Sequence, residues 1–156
     1  MNHLSLELEL EGSHAPIVVQ VLPNLEAVAA AVRACIPGVD HLHLFEKEAE
    51  EELVSVEGRR AISIVAHRCK SITVKVDFNN DPKTERVRPS ATVAKVLRWA
   101  TGKRGFDLDD DARAKANLII RGTEHPLPKD APIGRYVMAS TCNAEFELTL
   151  KDFTNG

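Results

Sequence analysis

Leu4, Leu6, Leu8 and Leu10 alternate with Ser5, Glu7, Glu9 and Glu11 at the start of the chain. A period of two puts the leucines on one side of a strand and the polar residues on the other, so the pattern predicts a strand with one wet face. "GSHAP" supplies a turn, and "IVVQVL" reads as the returning strand of a hairpin over residues 4–22. The period then changes. In "PNLEAVAAAVRACIPG", Leu25, Val28, Val32, Cys35 and Ile36 fall on one helical face. Asn24 is a good N-cap, Glu26 suits the positive end of the helix dipole, and Pro37-Gly38 ends the helix. "HLHLFEK" predicts a third strand, the acidic run from Glu46 to Glu52 a solvated loop, and "RRAISIVAH" a fourth strand.

The same order then recurs. "SITVKVDF" carries Ile72, Val74, Val76 and Phe78 on one side, "NNDPK" is a turn, and "TERVRP" is the returning strand. "SATVAKVLRWATG" is the helix, capped by Thr92 or Ser90, with Val93, Val96, Leu97 and Ala100 facing inward and Gly102 as its stop. "ANLIIRG" and "AEFELTL" are further strands, separated by a loop with one helical turn. A hairpin, a helix across it and further strands make an α+β arrangement, with the last strand beside the first: the β-grasp plan. We therefore expect tandem β-grasp domains over residues 1–68 and 70–150, with a flexible tail over 151–156. Only Arg68, Cys69 and Lys70 lie between the copies, too few for a flexible tether, so the tandem should be stiff.

Composition narrows the function. The chain has 156 residues, 44% apolar and 28% charged, with a net charge of -3, which fits a globular protein and offers no basic excess for nucleic acid. Aromatic residues are 4% of the chain, so aliphatic side chains must build the core. No stretch approaches the roughly 20 apolar residues of a membrane span, and the start lacks the unbroken apolar run of a secretory signal. Cys35, Cys69 and Cys142 are odd in number and widely spaced, a usage that fits a reducing compartment better than a disulfide scaffold. The expected location is the cytoplasm.

No Ser-His-Asp set, phosphate loop or carboxylate pair suggests catalysis, and no cofactor is implied. His41 and His43 have the spacing of a metal pair but no third ligand, so half-exposed strand histidines are the plainer reading. "DLDDDARAKA" has Asp107, Asp109 and Asp111 in calcium-loop spacing, but Ala112 stands at the sixth position and Leu118 at the twelfth; acids at a helix start, with Arg113 and Lys115 at its end, explain it better. Lys95, Arg98, Lys103 and Arg104 flank the second helix, either as a solvated helix end or as a dock for an acidic partner.

Residues 72–156 resemble ubiquitin as an ordered set. "RPSATVAKVLRWATGKRGF" is similar to ubiquitin's helix entry, "NLIIRG" to its third strand with Gly122 at the end, and "PIGRY" to the turn that carries its buried tyrosine, here Tyr136. "FELTL" is similar to its last strand. Two such domains ending at a glycine resemble the bacterial two-domain ubiquitin-like modifiers of Bil-type antiphage conjugation operons, counterparts of the interferon-induced two-domain modifier.

The resemblance implies a modifier rather than an enzyme. An E1-like activating enzyme would adenylate the terminal carboxylate of Gly156, an E2-like conjugating enzyme would pass it to target proteins such as phage structural proteins, and a metal-dependent isopeptidase would remove it. The tail Lys151, Asp152, Phe153, Thr154 and Asn155 would be read by the activating enzyme. A glycine at the end has no side chain to clash in a narrow channel. Asn155-Gly156 departs from ubiquitin's two glycines. The ubiquitin-type binding patch would fall on Ile119, Arg121, Gly122, Glu147 and Thr149, or the same residues form an ordinary mixed sheet face. Two other readings stay open: a noncovalent β-grasp adaptor, and a sulfur carrier, which is usually a single domain ending in two glycines.

Overall fold

The computed structural model describes residues 3–13, 15–39 and 41–151. They form two four-stranded mixed sheets. The first contains β1 (Leu4–Leu10), β2 (Ile17–Val21), β3 (His43–Glu46) and β4 (Ala61–His67), with helix α1 (Leu25–Cys35) between β2 and β3. The second contains β5 (Ile72–Phe78), β6 (Asp81–Val87), β7 (Asn117–Ile119) and β8 (Asn143–Thr149), with α2 (Val93–Thr101), α3 (Asp110–Lys115) and a 3-10 turn (Ile133–Tyr136).

Strand order is β2-β1-β4-β3 in one sheet and β6-β5-β8-β7 in the other. In each, the first hairpin is antiparallel, the first and last strands pair in parallel at the centre, and the last two pair antiparallel. A parallel neighbour needs a crossover, and each sheet's helix lies within it. These are tandem β-grasp units.

The two cores follow the periodicities. Leu4, Leu6, Leu8, Val28, Val32, Ile62 and Ile64 close the first; Ile72, Val74, Val76, Val93, Val96, Leu97, Leu118, Phe146 and Leu148 close the second. Asn24 caps α1 by accepting from the Ala27 N–H at 2.8 Å. Thr92 caps α2 through the Lys95 N–H, leaving Ser90 for another task. Asp109 caps α3 through the Ala112 N–H at 2.8 Å, so the acidic stretch begins a helix.

Four expectations change. Cys35 is exposed at the last turn of α1, where Val28 and Val32 alone of the helix are fully buried. His41 precedes β3 rather than belonging to it, though its ring still meets the His43 ring edge-on at 4.8 Å between centroids, and the His43 ring is engaged by the Glu52 carboxylate. Tyr136 is half-buried, its ring edge-on to Phe146 at 5.9 Å between centroids. Cys69 and Cys142 form a disulfide across a separation of 73 residues. The fold brings the start of β5 beside the start of β8, and these cysteines precede the two strands.

Candidate interaction surfaces and the junction between the units

Alternation along β8 sends Ala144, Phe146 and Leu148 to the core and leaves Glu147 and Thr149 on the open face. Across β7, Ile119 stands opposite Glu147 and Asn117 opposite Thr149. Arg121 follows β7 and its Nε donates to Glu147 Oε1 at 3.1 Å. Gly122 reverses the chain with φ of +84°, a conformation that favours glycine. Of the predicted patch residues, Ile119, Arg121 and Glu147 therefore meet, while Thr149 stands opposite Asn117. Their chemistry is polar: Ile119 is 9% exposed, and the Arg121–Glu147 ion pair beside it faces solvent.

The tail begins where the sheet ends. The Lys151 N–H donates to Thr149 Oγ1 at 3.1 Å, and Lys151 Nζ lies 3.5 Å from Glu124. Asp152, Phe153, Thr154, Asn155 and Gly156 lie outside the described residues.

Glu7 and Ala61 at one end of the back of the first sheet are exposed, while its other end is buried. Phe45, Val65 and His67 project there, each at most 2% exposed, and Glu9 is 7% exposed. Elements of the second unit meet this face. Arg135, in the 3-10 turn, donates from Nη2 and Nε to the two Glu9 carboxylate oxygens at 2.6 and 3.1 Å. Glu9 keeps the Arg135 guanidinium firmly protonated, raising its pKa above the ordinary value. Burial pushes the neighbouring Tyr136 phenol up.

His67 is fully buried beside this pair. Its Nδ1 accepts the Cys69 N–H at 2.9 Å, which leaves the ring proton on Nε2, 3.1 Å from the Gly134 carbonyl oxygen it donates to. Burial lowers the His67 pKa, against the opposing pull of the Glu11 carboxylate at 3.8 Å. Position 134 has no room for more than a glycine: an added Cβ would stand 2.9 Å from the His67 ring and 3.1 Å from Pro89.

The acidic loop expected to be solvated is instead part of this junction. The Glu48 N–H donates to the Ser90 carbonyl at 3.0 Å, and Ser90 Oγ donates to the Ala49 carbonyl. Arg88 Nε reaches the Glu50 carbonyl at 3.0 Å, and Lys95 Nζ reaches the Glu50 carboxylate at 2.7 Å. Arg68, between the units, pairs with Glu11 at 2.8 Å and donates to the Thr141 carbonyl. Reading the sequence alone missed Glu9, His67, Ser90 and Arg135. The signal available was "HLHLFEK", whose Leu44 and Phe45 are apolar on both faces of one strand.

Among the described residues no three histidine, cysteine or acidic side chains converge to hold a metal, and no helix is long and apolar enough to cross a membrane. Strand order, helix placement and the tail-bearing last strand define a ubiquitin-like protein. Residues 73–151, just over half of the chain, match the family of BilA ubiquitin-like domain 2. The chain belongs to this Bil-type ubiquitin-like family. No curated protein matches it. A solved structure of an Arabidopsis thaliana protein, from sparse NMR data and evolutionary couplings, is similar at 18% identity and a TM-score of 0.40, covering 57% of this chain and 96% of that one.

Proposed function

We propose that this protein is a covalent modifier whose Gly156 carboxyl group is joined to amines of target proteins. The observation that carries the reading is the match of residues 73–151 to a BilA ubiquitin-like domain. The geometry agrees with it: β8, the strand that leads to the tail, is fixed on both sides by β5 and β7 and ends at Thr149. A modifier needs a rigid handle for its enzymes and a narrow end to feed into them.

The chemistry runs in four balanced steps. The Gly156 carboxylate attacks the α-phosphorus of ATP on an E1-like enzyme, and pyrophosphate leaves. A cysteine thiol of that enzyme displaces AMP and forms a thioester, which an E2-like enzyme accepts by thiol exchange. A target amine then displaces the thiol and forms an amide. A metal-dependent isopeptidase reverses the last bond with water. Phage structural proteins are the target class in such a defence, and the ATP-dependent steps belong to the cytoplasm. Within this scheme the chain itself is not an enzyme. Asp152, Phe153, Thr154 and Asn155 are the segment the activating enzyme reads, and Ile119, Arg121, Gly122, Glu147 and Thr149 are the face its partners meet.

The test is made in cells carrying the cognate conjugation enzymes. Targets purified under denaturing conditions and digested should carry a remnant of residues ending in Gly156 on an amine. A tagged chain recovered only through washable contacts, with no such remnant, would replace this reading with the noncovalent adaptor.

A further inference from the structure

A cleft of about 790 Å³ lies between α2 and β6, with Glu50 of the first unit also lining it. Seven of its lining residues are Lys or Arg and two are Glu, in a chain whose net charge is -3. Lys95 is held by Glu50 and Arg104 by Glu85. Lys70, Arg86, Arg98 and Lys103 form no salt bridge among the described residues. Val87 and Trp99, both partly exposed, supply apolar surface beside them. This cleft is separate from the Ile119 face, since β6 and β7 are opposite edges of the sheet.

One wall of the cleft is an open sheet edge. The Thr73 N–H donates to the Cys142 carbonyl beside β8, away from β6. Thr73 opposite Arg86 is therefore a non-hydrogen-bonded pair of the β5–β6 ladder. Alternation then turns the backbone groups of Arg86 and Thr84 outward, away from the sheet. Among the described residues the Arg86 N–H is met there only by the neighbouring Glu85 carboxylate at 3.1 Å, a contact an incoming carbonyl can replace. Pro82 occupies the next outward position and has no N–H to offer. Pairing is thus confined to the Thr84–Arg86 end, where the unpaired cations stand. Charges on an edge can also serve to repel strands, but repulsion needs no apolar surface alongside.

We propose that this edge takes an extended acidic peptide segment as a fifth strand, with its backbone paired to Thr84 and Arg86, its apolar side chains on Val87 and Trp99, and its carboxylates on Lys70, Arg98 and Lys103. Strand addition draws affinity from main-chain hydrogen bonds and selectivity from the side-chain surface. The inference does not rest on conjugation at Gly156.

The probe is a short fluorescent peptide of β-branched residues followed by glutamates, titrated into the full-length chain. A second peptide carries a proline within the β-branched run. The parent peptide should shift the amide resonances of Thr84 and Arg86 and slow their hydrogen exchange. The proline peptide should not bind. Joint Arg98→Glu and Lys103→Glu substitution should weaken binding about tenfold or more with the melting temperature held, because both positions are exposed. No binding of the parent peptide, equal binding of the proline peptide, or resonance shifts at the Ile119 face instead would overturn the proposal. So would tighter binding of a single-stranded oligonucleotide than of the parent peptide, which would make the cleft a polyanion site.

Discussion

Arg135 grips Glu9 with two hydrogen bonds, and the two residues are separated by 126 positions in sequence, one in the 3-10 turn of the second unit and the other in β1 of the first. Both side chains are at most 15% exposed, so the pair has little water to fall back on. Removing either partner strands the other. Glu9→Ala or Arg135→Ala should each cost about 1–3 kcal/mol. The double substitution should cost less than the sum, because no charge is then left unpaired. Arg135→Lys should recover only part of the loss, since a single ammonium cannot make the planar two-point contact. Denaturant unfolding of the parent chain and these four variants checks this; strictly additive losses would show that the pair is not coupled.

His67 makes the junction sensitive to acid. Its pKa is lowered in the fold, so the unfolded chain takes up a proton first as pH falls below the ordinary value of 6.5. The unfolded state then binds more protons than the native state, and stability falls with decreasing pH. The contribution is fully present above that value and is lost as pH drops toward the lowered one. His67→Gln should be less stable at neutral pH and should flatten the slope between neutrality and mild acid. An equally steep slope in the variant would assign the acid sensitivity to the carboxylates.

The second core answers to a single truncation. Leu97 is 8% exposed on the inner face of α2, packed among Val93, Val96 and the sheet. Leu97→Ala should cost about 2–5 kcal/mol through lost burial and the cavity left behind. Thermal unfolding measures it, and an unchanged midpoint would mean the face is not packed.

The disulfide gives an independent check on the join between β5 and β8. Among the three cysteines only Cys35 is free, and it is exposed. Thiol labelling of the native chain prepared without reductant should modify Cys35 alone. Cys142→Ser should lower stability by about 2–4 kcal/mol under the same conditions and leave it unchanged in reductant. Three reactive thiols in the native chain would contradict the pairing.

The alternating leucines of β1 and the Val93, Val96, Leu97 and Ala100 stripe were readable in the sequence because each records one buried face at a fixed period. Glu9 was not. It occupies the polar face of the same strand and looks solvated; the cation that makes its burial tolerable arrives from the other unit. Phe45 and Val65 belong to the same unread face. The apolar residues on both faces of these strands, Leu44 with Phe45 and Ile64 with Val65, were the one sign that the second face is buried too. The acidic loop misled for a related reason: its docking uses the backbone of Glu48, Ala49 and Glu50, and backbone groups leave no trace in residue identity. Cys69 and Cys142 could be paired only by knowing that the first and last strands of the unit are neighbours. At the predicted patch, the residues that meet were legible from the ubiquitin-like order, while the Arg121–Glu147 bridge beside Ile119 depends on a cross-strand register.

The central claim is that Gly156 is the reactive end of a modifier. The direct measurement mixes the chain with its cognate activating enzyme, ATP and magnesium, and follows the products on a gel with and without reductant. The account predicts an enzyme adduct that thiols release, and its absence when Gly156 is deleted, with the melting temperature of the deleted chain unchanged. A chain that forms no adduct, or a deleted chain that forms it as well as the intact one, would contradict it.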